Sequence, residues 1–197
     1  MQAIIDACGS GRLPAVPAVL ISNNGSSGAL DRAAVHRIPA YVLGGEKFRD
    51  PAVLDQAMAD TLQKHRVDLV VLAGYMKRIG PRTLAAFPRR IINVHPALLP
   101  AHGGRGMYGR HVHAAVIAAG EAETGVTIHL VDSGYDTGPI IAQCRVPVLP
   151  GDTAESLAAR VLPVEHQLYV EALARIMRGE IDLDEGHAGK EGMPYGE

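Results

Sequence analysis

The side chains best suited to chemistry concentrate in Asn93-Val94-His95-Pro96-Ala97-Leu98-Leu99-Pro100, followed downstream by a carboxylate on a Gly-Pro turn, Asp136-Thr137-Gly138-Pro139. An amide donor, a proton-carrying imidazole and an acid are the parts needed to move an acyl group between nitrogens. Asn93 and His95 flank one residue, so on an extended segment their side chains project in the same direction. The run Arg90-Ile91-Ile92 enters them like the end of a buried strand, and the prolines that follow suppress helical continuation. For an isolated pair, a turn-capping Asn and a satisfied core His would be the simpler account. The strand-end position, the prolines and the Asp136 turn together favour function. A buried acid beside His95 is expected to hold the imidazolium and raise its pKa, leaving Asn93 to donate to an oxyanion.

Rival chemistry is weaker. Nine histidines invite a metal reading, but no HExxH motif, Cys cluster or two-His-plus-carboxylate spacing occurs. His111 and His113 sit two apart, which on a helix separates their faces, while His102 and His129 are scattered. Asn23-Asn24-Gly25-Ser26-Ser27-Gly28 lacks the Lys of a P-loop and reads as a strand-to-helix turn capped by Ser26 or Ser27. Gly103 to Gly109 is a glycine-rich loop just past the candidate site, a substrate-proximal lid or a plain connection. Cys144 has no activating neighbour.

Positioning these groups requires a sheet. Strand-like segments are Val16 to Ile21, Ala40 to Leu43, Val67 to Gly74, Arg90 to Val94, Thr124 to Val131 and Pro139 to Val148. Helical patterns cover Met1 to Cys8, Ser26 to Arg37, Pro51 to His65, Met107 to Gly120 and Thr153 to Arg178, the last capped by Asp152 or Thr153. The alternation indicates an α/β fold, a Rossmann-like, mostly parallel sheet with helices on both faces. Val67 to Gly74 reads as the clearest buried strand, and the strands flanking Asp136 as an antiparallel pair in the C-terminal half. Ligands of such sheets gather beyond the strands' carboxyl ends, where Gly74 to Arg78 and Asn93 to His95 fall. Residues 1–181 form a single domain on this reading, with 182–197 a loose polar tail.

With 197 residues, 47% hydrophobic and 20% charged, the chain has the composition of one globular domain. A net charge of −2 and pI near 6.5 argue against nucleic acid. No apolar stretch reaches membrane-spanning length and no signal-peptide pattern opens the chain, so a cytoplasmic protein is expected. Cys8 and Cys144, far apart, fit reduced core residues.

At these residues the sequence resembles the phosphoribosylglycinamide formyltransferases, from Met1 through about Tyr169. The words that carry the resemblance are Gln2-Ala3-Ile4-Ile5-Asp6-Ala7-Cys8, the run Val67 to Met76, Asn93 to Pro100, Gly125-Val126-Thr127-Ile128-His129 and Asp136-Thr137-Gly138-Pro139. The resemblance implies the formyltransferase fold and transfer of formyl from 10-formyltetrahydrofolate to the amine of glycinamide ribonucleotide, without a metal. Asn93, His95 and Asp136 match the family's catalytic trio. Met76, Lys77, Arg78, Ile79 and Ile91 match its folate-contacting residues, together with Asn93 and the loop Asp132-Ser133-Gly134-Tyr135-Asp136. Gly74, Pro96, Leu162 and Glu165 match positions near the ribonucleotide, Leu162 standing where some members have a polar residue. Small-molecule substrates and a monomer or homodimer are implied; nucleic acid and membrane partners are not.

Members of that family open with a strand and a Ser-Gly-x-Gly-Ser-Asn-type loop that cradles the substrate phosphate. This sequence starts just after that point, which implies about a dozen missing residues, one strand and its loop. Gly25-Ser26-Ser27-Gly28 is not a replacement, because it follows the next strand. A start upstream of Met1 is therefore expected, with weak activity for the 197-residue chain. Two alternatives stay open: a formyltetrahydrofolate deformylase with water as acceptor, and a catalytically impaired folate- or nucleotide-binding module. Methionyl-tRNA formyltransferase lacks support, since no RNA-binding domain or basic surface is visible.

Overall fold

The polar groups of the candidate site are held by a mixed sheet. In the computed structural model, which describes residues 1–185, the elements run α1 (Gln2–Gly9), β1 (Leu20–Ser22), α2 (Gly28–Val35), β2 (Ala40–Val42), a 3-10 turn (Gly45–Phe48), α3 (Pro51–Lys64) and β3 (Val70–Leu72). They continue with α4 (Pro81–Ala86), β4 (Ile91–His95), α5 (Arg110–Ala118), β5 (Glu123–Leu130), β6 (Ile140–Pro147) and α6 (Ala154–Met177). β1 pairs in parallel with β2, and β3 in parallel with β4; β4–β5 and β5–β6 are antiparallel. The α/β architecture and the antiparallel pair around Asp136 agree with the sequence reading.

The pleat sorts the core into two layers. Ile91 and Ile92, consecutive on β4 and both inaccessible, point to opposite faces. Ile92 joins Val126, Ile128, Leu130 and the α6 residues Leu157, Val161 and Leu173. Ile91 joins Met58 and Leu62 of α3, with Ile79 and Phe87. α6 starts on a reciprocal cap: the Thr153 hydroxyl accepts from Ser156 N–H at 3.2 Å and the Ser156 hydroxyl from Thr153 N–H at 2.9 Å. Its Tyr169 hydroxyl, buried, shares its hydrogen between the carbonyls of Leu72 (2.9 Å) and Ile92 (3.0 Å), fixing the helix against the carboxyl end of β3 and the first half of β4.

Three expectations need correcting. Val67 to Gly74 contracts to the three residues of β3, all half-buried. The reason is topological: among the described residues β3 has a partner on only one side, and so has β1, because the sheet is divided into strands β1–β2 and β3–β4–β5–β6. Between those two edges lies a cavity of about 1440 Å³, lined by residues 16–24 and 67–75 and floored by Ile4, Ile5, Leu173 and Ile176. Second, α4 lies in a stretch that sequence patterning leaves blank. Third, the start of the presumed tail is docked. Leu183 is buried, Arg89 donates to its carbonyl, and Arg90 grips both Asp184 oxygens at 2.8 and 2.6 Å. Residues 186–197 of that tail lie outside the described residues.

Candidate functional site

Antiparallel pairing of β4 with β5 sets Asn93 opposite His129 and His95 opposite Thr127. All four side chains therefore share one face. Asp136 arrives from the β5–β6 loop in a left-handed conformation (φ +55°), which Asp tolerates better than most residues. That loop is self-braced, since Asp132 Oδ1 accepts from Gly134 N–H (2.8 Å) and from the Thr137 hydroxyl (2.7 Å). A side chain at Gly138 would run into the Leu130 carbonyl, so glycine is required beside the acid.

The hydrogen bonds fix which atom does what. A carbonyl only accepts, so His129 Nδ1 must donate to the Leu130 carbonyl at 2.8 Å. In the neutral ring its Nε2 is then bare and accepts from the Asn93 amide nitrogen at 3.2 Å, which orients the amide. His95 likewise donates Nε2–H to the His102 carbonyl at 2.8 Å, leaving Nδ1 as the nitrogen that takes up a proton. Asp136 faces both rings, Oδ2 at 3.5 Å from His95 Nδ1 and Oδ1 at 3.5 Å from His129 Nε2. Those separations exceed made hydrogen bonds and leave the carboxylate free to tighten on whichever ring gains charge. Gly104 N–H donates to Asp136 Oδ2 at 3.0 Å.

Burial decides the resting protonation states. His95, 3% exposed, has its pKa lowered, chiefly by desolvation; the opposing pull of Asp136 and the His102 carbonyl is the smaller effect. The expectation of a raised pKa is thus reversed. Asp136 is pushed up most by its own burial, but the neighbouring His129 ring, the Gly104 N–H and the attraction of a protonated His95 together bring it below the usual carboxylate range. The resting site is a neutral imidazole facing a carboxylate.

The expected folate-contacting residues form a second cluster. Arg78 donates to the Ser133 carbonyl and lies 6.0 Å from the centre of the Tyr135 ring, so segments 76–79 and 132–135 meet. Met76 and Tyr135 are exposed, whereas Ile79 and Ile91 are closed into the core and brace the segment. Asp55 on α3 holds the next turn: its carboxylate accepts from Arg82 N–H (2.8 Å), Thr83 N–H (3.0 Å) and the Thr83 hydroxyl (2.7 Å). It caps α4 from 27 residues away, and Gly80 must be glycine because a Cβ there would strike that carboxylate. Glu165 stands one helical turn before Tyr169 and faces the amine of Met1. Burial raises its pKa to about 7, against a smaller opposing effect from that amine. Leu162 is exposed on the same helix. Gly74 follows β3 with φ +80°, and Pro96 follows His95 directly.

His129, Thr127, Asp55 and the Gly104 N–H have roles that residue type and spacing did not single out. His129 carries the clearest signal in retrospect: with Thr127 it alternates with apolar Val126, Ile128 and Leu130, which sets two buried polar residues on one face of β5. His111 stacks on Tyr108, and among the described residues no group of three or more His, Cys, Asp or Glu is placed to hold a metal.

Comparison with known proteins decides the kinship. The family model for formyl transferase matches residues 1–173. This chain belongs to the formyl transferase family. A phosphoribosylglycinamide formyltransferase of Haemophilus influenzae is 39% identical over 188 residues, covering 95% of this chain and 86% of that protein, which places the chain among the phosphoribosylglycinamide formyltransferases. A chloroplastic member from Vigna unguiculata is 46% identical over 180 residues, 91% of this chain; the chain spans 58% of that relative's length. The crystal structure of glycinamide ribonucleotide transformylase 1 from Symbiobacterium toebii superposes with a TM-score of 0.85 at 41% identity, covering 90% of this chain and 82% of that one. No helix among the described residues is long and apolar enough to cross a membrane.

Proposed function

We propose that this member of the family transfers a formyl group from 10-formyltetrahydrofolate to the primary amine of glycinamide ribonucleotide, a step of de novo purine synthesis. The observation that carries the reading is the joined set Asn93, His95, His129 and Asp136 at the carboxyl end of β4. The 39% identity to a phosphoribosylglycinamide formyltransferase supports the choice of substrate.

The geometry suits acyl transfer. Attack of an amine on the formyl carbon produces a tetrahedral oxyanion, and the second hydrogen of the Asn93 amide is free of His129 to meet it. His95 starts neutral and gains charge at Nδ1 as the amine loses its proton. Asp136 then closes on the imidazolium from 3.5 Å. The same proton passes on to the departing folate nitrogen. The Arg78–Ser133–Tyr135 bridge and the exposed Met76 supply a clamp for the pterin and aminobenzoate rings. Glu165, protonated near neutrality, donates to or accepts from ribose hydroxyls.

No Gly-x-Gly-Ser-Asn run occurs in the sequence, so the proposal assigns the formyl and folate halves of the site fully and the ribonucleotide half only in part. Steady-state assays with formyl folate and glycinamide ribonucleotide test it. Formylated ribonucleotide as the product supports the reading. Formate released at the same rate without ribonucleotide would replace it with a deformylase.

A further inference from the structure

The backbone of Leu99, in the loop between β4 and α5, is bonded on both sides by side chains from the sheet. Thr127, fully buried on β5, uses every capacity of its hydroxyl. It donates to the Ala97 carbonyl at 2.6 Å, and accepts from Leu99 N–H at 3.1 Å and from Gln143 Nε2 at 2.9 Å. Gln143, on β6, turns its other amide hydrogen to the Leu99 carbonyl at 2.9 Å. A loop that would otherwise seek water for these groups is thus fastened to two adjacent strands.

What the fastened loop does next is specific. Three residues on, His102 takes a left-handed conformation (φ +54°) that directs its carbonyl at His95 Nε2. Two residues further, Gly104 N–H reaches Asp136 Oδ2. Gly103 between them packs tightly on Leu99: a Cβ there would lie 2.5 Å from Leu99 Cδ2, so a larger residue would displace that side chain. One short loop therefore sets both the ring orientation of His95 and the position of the carboxylate that faces it.

We propose that Thr127 and Gln143 are positioning residues for the His95–Asp136 pair, acting through the Ala97–Gly104 loop to hold His95 as its Nε2–H tautomer. Neither side chain needs to touch substrate. The inference rests on the formyl-transfer reading for its kinetic arm and is independent of it for its spectroscopic arm.

The test pairs Thr127→Val, nearly isosteric but without the hydroxyl, with Thr127→Ser, which keeps it. Ring-nitrogen NMR of ¹⁵N-histidine-labelled protein should show His95 with a fixed Nε2–H in the parent chain and in Thr127→Ser. Thr127→Val should give shifts averaged between tautomers. Formyl transfer should fall about tenfold in kcat with KM for the folate donor changed less than twofold, and Thr127→Ser should restore kcat. Gln143→Leu, at a half-buried position, removes one arm and should give a smaller change of the same kind; it decides the matter if Thr127→Val does not fold. Folded variants with a lower Tm but an unchanged His95 tautomer and kcat would overturn the proposal. A parent chain without formyl transfer would instead count against the assigned reaction, while the NMR comparison would still decide the clamp.

Discussion

The two sides of the sheet are finished to different degrees. From β4 to β6, the site-bearing residues are joined: Thr127 has three partners, Asn93 and His129 orient each other, and Asp136 is reached from both histidines and a backbone N–H. From β1 to β3, two strand edges face a cavity of about 1440 Å³ with no partner strand between them among the described residues. The groups proposed for acyl transfer all hang from the closed side. Chemistry and sheet closure are therefore separate properties of this fold, and each can be perturbed while the other is read.

The largest effect should come from the closed side. Replacing His95 by Ala removes the proton carrier and should lower kcat for formyl transfer by about 10²- to 10⁴-fold, with little change in far-UV circular dichroism. Retained turnover would break the link between the joined cluster and catalysis. Packing should show the same contrast. Ile92→Ala, beneath the site, should cost about 3–4 kcal/mol in urea unfolding, whereas Leu69→Ala, beside the cavity, should cost about 1 kcal/mol or less, since its surroundings are already loose. Equal costs would mean that the two sides are equally packed in solution.

A titration sharpens the comparison at the boundary between the sides, where Glu165 lies. Its folded pKa of about 7 stands above the ordinary value of 4.5, so its stabilising contribution is complete below pH 4.5 and is lost as pH rises through 7. Glu165→Gln should remove that dependence. Relative to the parent chain, the variant should gain up to about 3 kcal/mol between pH 4.5 and 8 in denaturant unfolding. A pH-independent difference would place the carboxyl in water.

The smallest effect is expected from supplying the cavity with a strand. Five apolar residues and a short glycine-rich turn fused ahead of Met1 should raise Tm by about 5 °C and slow amide exchange in β1 and β3. Unaltered exchange would show that the cavity does not accept a strand.

How much of this could be read from residues follows from where the information lies. The juxtaposition of Asn93 and His95 was legible because their spacing on an extended segment fixes a common direction, and that of Asp136 because a Gly-Pro turn places it. The α/β class followed from alternation alone. His129 and Thr127 were not legible as partners, because their roles depend on the β4–β5 register, a long-range property. α4 was missed because its cap is Asp55, on another helix. β3 was over-read as buried: an apolar run records what a strand would bury, whereas burial depends on neighbours on both sides. His95 was assigned the wrong direction of shift because charge is visible in a sequence and desolvation is not.

The divided sheet has a consequence for how the molecule behaves in company. β1 and β3 each present a row of backbone donors and acceptors, and such rows pair readily with a strand from another chain. Pro14 and Pro17 ahead of β1, and Arg66 and Asp68 ahead of β3, stand among the cavity-lining residues where they obstruct a long intruding strand. Among the described residues nothing pairs with the three-residue cores of either edge. In a sample of this 197-residue chain, those two edges are the places where a strand of another molecule would add, and amide exchange measured in β1 and β3 against protein concentration would report it.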